Sequence, residues 1–262
     1  LNARRFLGWR HVSFGFTPMV DIGQRISGSG VLRGNDINHL GDWSGKVNFR
    51  LPSVDLARLN ASSARFLPAL FARLPVVRAG TGRLSLALAF DGQSIDRVDA
   101  DLGLEKLHVE QAGQTFQLSF FDASAHWESG KNREKLVIDA RRIDAAGGPL
   151  ARNGRFEYTL AKGERGLLLR DFNLDGFSAY IPLLPGEWSG TLAGAKLAGN
   201  VAKLRYAWKG DWQKPVSWQG EADLRGLDMG LPRWLPHMGK LDVVASFDEK
   251  KGTARLASKA FK

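Results

Sequence analysis

The chain has no cysteine among its 262 residues. Disulfides, thiolate zinc sites, iron–sulfur clusters and cysteine nucleophiles are therefore excluded, although the redox compartment is not fixed by this. No run reaches 18 consecutive apolar residues, so the sequence contains no transmembrane helix. Leu1 to Arg10 carries charges and no apolar h-region, which excludes a signal peptide there. An initiator Met is also missing, and the reading is an internal slice of a longer protein. Catalytic signatures are equally scarce. His11, His39, His108, His126 and His237 stand in no His-x-x-x-His or Glu-x-x-His spacing, so no helical metal site is read. Gly80-Thr81-Gly82 lacks the Lys-Ser/Thr of a phosphate loop. Gly176-Phe177-Ser178-Ala179-Tyr180 lacks the second Gly of a nucleophile elbow. Carboxylates are plentiful at Asp96, Asp99, Asp101, Asp139 and Asp144, but no spacing singles out a glycosidase-type pair. The expectation is a protein that is not an enzyme, with no cofactor and no metal.

What is present is typical of a folded chain. Apolar residues make up 44% and charged residues 24%, enough apolar surface to offset the entropy of ordering. Lys and Arg number 37 against 27 Asp and Glu, a net +10 that admits nucleic acid, anionic lipid head groups or acidic polysaccharide as partners.

Alternation with a period of two dominates. Leu84, Leu86, Leu88 and Phe90 share one face of a strand, with small residues between them. Phe156, Tyr158 and Leu160 repeat the pattern, as do Leu204, Tyr206 and Trp208, and Leu241, Val243, Ala245 and Phe247. Val47 and Phe49, then Phe116, Leu118 and Phe120, then Leu136 and Ile138 add shorter runs. Such segments are half-buried strands. Asp91-Gly92, Ser129-Gly130, Asn153-Gly154 and Lys209-Gly210 supply turn chemistry between them, and the 30 glycines fit many turns. The predicted fold is mostly β: a long curled antiparallel meander, an open groove or partial barrel, with a few short helices at its corners. Residues 1–262 form one elongated segment, and 145–149 is a loop inside it.

One stretch has a helical period. Leu56, Leu59, Phe66, Leu67, Leu70, Phe71 and Leu74 form an amphipathic stripe. Asp55 is suited to cap its start, and Pro68 to a first turn. Two short helices are predicted, 55–61 and 66–74, broken near Ser62-Ser63. They either plug one end of a sheet, or lie on a membrane or gate a groove. A loose internal repeat is also visible. Strand, short helical turn, Leu-Pro, Gly and strand recur from Val54, from Leu174 and from Leu224.

Eight tryptophans admit two readings. They pack in the core and at sheet edges, or Trp208, Trp212 and Trp218 form an exposed rim that stacks on sugars or bases. No signature of an RNA-binding module accompanies them.

Certain phrases point to a family. They are Phe66-Leu67-Pro68-Ala69-Leu70, Ala179-Tyr180-Ile181-Pro182-Leu183-Leu184-Pro185 and Leu231-Pro232-Arg233-Trp234-Leu235-Pro236, together with Gly186-Glu187-Trp188-Ser189-Gly190-Thr191-Leu192. In these the chain resembles the AsmA-like proteins of Gram-negative bacteria, most of all their YhdP-like branch. The resemblance implies a periplasmic, bridge-like lipid transporter anchored in the inner membrane and reaching the outer membrane. It implies a curled β-sheet with an apolar groove for phospholipid, a role in outer-membrane biogenesis, and no nucleic-acid partner. The residues fit that expectation independently. A sheet with one apolar face must cover it, close on it, or leave a trough. A 16-carbon tail gains on the order of 12 kcal/mol over water, and a bilayer offers nearly the same, so transfer along a greasy trough is close to isoenergetic. The candidate lining is Leu84, Leu86, Leu88, Phe90, Phe156, Tyr158, Leu204, Tyr206, Leu241, Val243 and Phe247. The alternative is a β-sandwich that binds acidic glycan or nucleic acid through Trp and Arg.

Overall fold

Alternation fixes the architecture, because each alternating run must pair with a neighbour to satisfy its backbone. The computed structural model describes residues 2–6, 9–17, 23–34, 42–66, 76–92, 94–111, 114–177, 197–211, 214–229 and 238–261. These fall into two compact units, Leu1–Lys131 and Asn132–Lys262.

Unit 1 contains β1 (Asn2–Phe6), β2 (Trp9–Phe16), β3 (Ile26–Arg33), β4 (Ser44–Asp55), α1 (Leu56–Phe66), β5 (Val76–Asp91), β6 (Ser94–Gln111) and β7 (Gln114–Gly130). Unit 2 contains β8 (Arg133–Ala145), β9 (Gly148–Ala161), β10 (Glu164–Asn173), β11 (Leu197–Gly210), β12 (Pro215–Met229), β13 (Met238–Asp248) and β14 (Gly252–Phe261). Within each unit every strand pairs antiparallel with its sequence neighbour, and the order never returns to the first strand. The mostly-β antiparallel meander expected from alternation is what forms, and neither unit closes on itself as a barrel.

Several local expectations need correction. The helix runs unbroken from Leu56 to Phe66, through Ser62-Ser63. Serine is a mild helix former, and two in a row do not outweigh the apolar contact that holds the helix down. The second predicted helix, 66–74, lies outside the described residues after Phe66. Asn153-Gly154 is not a hairpin. It sits inside β9, where Asn153 is left-handed (φ 56) opposite a register shift between Arg170 and Phe172 of β10. A β-bulge draws on the same positive φ as a tight turn, and here the bulge took it. The hairpin comes later, at Lys162 (φ 50) and Gly163 (φ 79), the primed-turn pattern. The loop expected at 145–149 tightens to a two-residue turn at Ala146-Gly147. Leu224 to Met229, where the third repeat opens, is the end of β12, and the Leu235-Pro236 it leads to lies outside the described residues. The remaining phrases that carry the family resemblance, 179–185, 186–192 and 231–236, lie outside the described residues.

The buried side chains are few, and apart from two tryptophans they are aliphatic. Those among the described residues are Trp43, Val54, Leu118, Val137, Val201, Trp208, Leu227, Leu241 and five alanines, with no polar or charged residue among them. Among the described residues neither unit has a second layer of strands, and most apolar side chains there are shielded by neighbours in their own sheet.

Candidate functional site

Residues directly opposite one another in an antiparallel pair share a face. Following the register across unit 1 therefore reads out each face. One row runs Val12, Gly30, Val47, Leu88, Val98, Trp127 across β2 to β7. The next runs Phe14, Gly28, Phe49, Leu86, Ala100, Ala125. A third is Leu51, Leu84, Leu102, Ala123. Every member is apolar or glycine. Leu84, Leu86, Leu88 and Phe90, singled out from sequence, lie side by side on this face and are all half-buried.

One glycine position on the face, Gly28, is filled by a ring from the adjacent strand. The Phe14 ring lies where a Cβ on Gly28 would sit, 2.2 Å from it. One end of the face is covered by α1. Val54, 2% exposed, pairs with Gly82, and the Leu56 side chain sits 3.0 Å from where a Gly82 Cβ would be. Asp55 caps the helix, its Oδ1 accepting the Arg58 amide at 3.0 Å. Leu59, placed on the apolar stripe, is 37% exposed. Leu67, Leu70 and Phe71 are outside the described residues, and only the backbone of Phe66 is described. The helix thus packs on a sheet end at Leu56.

The opposite face of unit 1 is polar and internally paired. Arg97 Nε donates to Asp99 Oδ2 at 2.7 Å, and His126 Nδ1 lies 2.6 Å from Asp99 Oδ1. Hydrogen bonds from Arg97 and then His126 hold the Asp99 carboxyl below its usual range. Arg83 lies over Gly103 to reach Asp122, Nη2 to Oδ1 3.1 Å.

Unit 2 repeats the division. One row is Ile138, Phe156, Leu169, Leu204, Ala222, Ala245, Ala254. Its neighbour is Leu136, Tyr158, Leu167, Tyr206, Gly220, Phe247, Gly252. Val243, between Leu224 and Leu256, and Leu241, 6% exposed, continue this face along β13. All seven residues expected here from sequence therefore share it, and all but Leu241 are half-buried. Aromatic rings link the strands. Tyr206 stacks on Trp208 with centroids 5.3 Å apart, Tyr158 lies 6.5 Å from Trp208, and Trp218 lies 5.8 Å from Phe247. Trp208 is 8% exposed and Trp218 half-buried, so neither stands on an exposed rim; Trp212 is outside the described residues. They are held in because each ring covers the next. The Trp208 indole N–H is buried without an acceptor.

Alternation in sequence did not single out Val98, Leu102, Leu167 or Leu169, which complete these rows. The signal was present in Val98-Asp99-Ala100-Asp101-Leu102-Gly103-Leu104. In Leu167-Leu168-Leu169 it was hidden, because Leu168 faces the other way.

The carboxylates weighed for catalysis are largely engaged. Asp99 is paired as above, and Asp139 accepts from Arg155 at 3.2 Å. Asp144 is bound by Arg142 and Arg152; desolvation raises its pKa, and the two guanidinium hydrogen bonds outweigh that to leave it lowered. Among the described residues no cluster of three or more His, Asp or Glu has the geometry to hold a metal ion, and no helix is long and apolar enough to cross a membrane. Comparison with protein-family models, with curated proteins and with solved structures finds no match.

Proposed function

We propose that this chain is a segment of a bridge-like lipid-transfer protein and that its apolar sheet faces hold phospholipid acyl chains. One observation carries the reading. In each unit a continuous apolar face crosses six or seven strands, most of its side chains half-buried by one another and a few, such as Phe14 and Leu256, exposed, while the reverse face is polar and ion-paired. An ordinary domain buries such a face under a second layer. Here only α1 covers part of it among the described residues. Six strands at about 4.8 Å spacing span about 24 Å. That exceeds the roughly 15 Å that an acyl chain occupies in half a bilayer. The lining is aliphatic and aromatic without a specific polar anchor, which suits chains of varied length and little chemical character. The role is non-enzymatic, with movement of phospholipid across the periplasm from inner to outer membrane as the setting the family resemblance suggests.

The test is mass spectrometry of organic extracts from the purified chain. Reproducible phospholipid is expected in the wild type and its loss in the Leu86→Asp, Leu88→Asp double variant. Retained far-UV circular dichroism shows that the sheet still forms. A lipid-free, monodisperse wild type overturns the reading.

A further inference from the structure

The net charge is not evenly divided. Unit 2 has 22 Lys and Arg against 15 Asp and Glu, and unit 1 has 15 against 12. Part of this excess gathers in a cleft of about 580 Å³ on the polar face of β9, β10 and β11. Its floor is a cross-strand row, Thr159, Gly166 and Ala207, with little side chain above the backbone. The Thr159 hydroxyl lies 2.7 Å from where a Gly166 Cβ would be, so the dip exists because residue 166 is glycine. Around it stand Lys162, Arg170, Lys203, Arg205 and Lys209, with Arg165 at its margin in the row of Leu160 and Trp208, and only Glu157 and Glu164 as lining carboxylates.

Some of these cations are already engaged. Lys203 pairs with Glu221 at 2.7 Å, Lys209 with Glu164 at 3.8 Å, and Arg165 donates to the Gly210 carbonyl. Arg205 attracts Glu221 through space. No ion pair among the described residues engages Arg170 or Lys162. Arg170 lies directly opposite Arg155 across β9 and β10. Arg155 is itself paired with Asp139 at 3.2 Å and Glu157 at 3.4 Å, so Arg170 is the guanidinium of the two left to an external anion. Guanidinium groups match the oxygens of a phosphate in a way that a lone ammonium does not.

We infer that this cleft is a binding site for a phosphate-bearing anion, on the face of unit 2 opposite its acyl-holding surface. The site does not depend on the lipid reading. A phosphate ester of a lipid head group and a soluble phosphate present the same chemistry to it.

The experiment uses the whole chain with two probes: pyrophosphate, followed by titration calorimetry, and sedimented vesicles of phosphatidylcholine with or without phosphatidylglycerol. Arg170→Gln with Arg205→Gln should weaken pyrophosphate binding about tenfold, as expected for lost charge-assisted hydrogen bonds at an open site. Lys46→Gln with Arg50→Gln removes the same charge from the polar face of unit 1 and should leave binding within about twofold. Binding to anionic vesicles that pyrophosphate displaces assigns the phosphate to a head group. Pyrophosphate binding without vesicle binding assigns it to a soluble ligand. Absence of binding to pyrophosphate, equal weakening in both variants, or vesicle binding that pyrophosphate does not displace would overturn the proposal. The lipid content of the Arg170/Arg205 variant should match the wild type, which separates failure of this site from failure of the acyl-chain reading.

Discussion

Leu88 on β5 and Asp99 on β6 lie on adjacent strands and on opposite faces of one sheet. Leu88 pairs with Val98, and Asp99, the next residue, turns to the other side opposite Ala87 and His126. A single residue step thus carries the chain from a face made of Leu, Val and Phe to one made of Arg, Asp and His. The same step recurs in unit 2 between Leu204 and Arg205. The two faces have different physics, and each makes its own prediction.

The Asp99 site should make stability depend on pH in a defined direction. Its carboxyl titrates lower in the folded chain than in the unfolded one, because Arg97 and His126 hydrogen-bond its charged form. A depressed carboxylate contributes stability that is present above its unfolded pKa of about 3.9 and is lost as pH falls through the folded value. Urea midpoints measured from pH 7 downward should therefore fall less steeply below about pH 4 in Asp99→Asn than in the wild type. Parallel curves would show that the pair contributes nothing to folding, as happens with many exposed pairs.

Gly220 should tolerate no side chain. A Cβ there would lie 2.2 Å from the Phe247 ring, which covers this buried glycine across the strand pair. Gly220→Val should destabilise the chain by about 1–3 kcal/mol, the usual cost of overpacking. Chemical denaturation is the check. Phe247→Ala combined with Gly220→Val should cost less than the sum of the two single changes, because they share one space.

Most of the fold was legible in sequence for a plain reason. A sheet with one apolar face writes its period directly into the chain, and Leu84 to Phe90 or Tyr206 to Trp208 need no tertiary information to be read. The failures have equally local causes. Asn153-Gly154 signals positive φ, which a bulge and a hairpin use alike. Ser62-Ser63 is a weak breaker, overruled by the contact of Leu56 with the sheet. Gly28 and Gly220 look like gaps in a strand, and only the cross-strand register shows Phe14 and Phe247 filling them. The basic cleft was invisible because its cations come from β10, β11 and a turn, and its floor is defined by what residue 166 lacks.

The central claim is that acyl chains lie on one named face and not on the other. The most direct measurement is photo-crosslinking from a benzophenone amino acid placed singly at Leu86, Ala87, Leu88 and Ala89, with the adducts identified by intact mass. The account expects phospholipid adducts from 86 and 88 and none above background from 87 and 89. Adducts that ignore this alternation, or that favour 87 and 89, would contradict it.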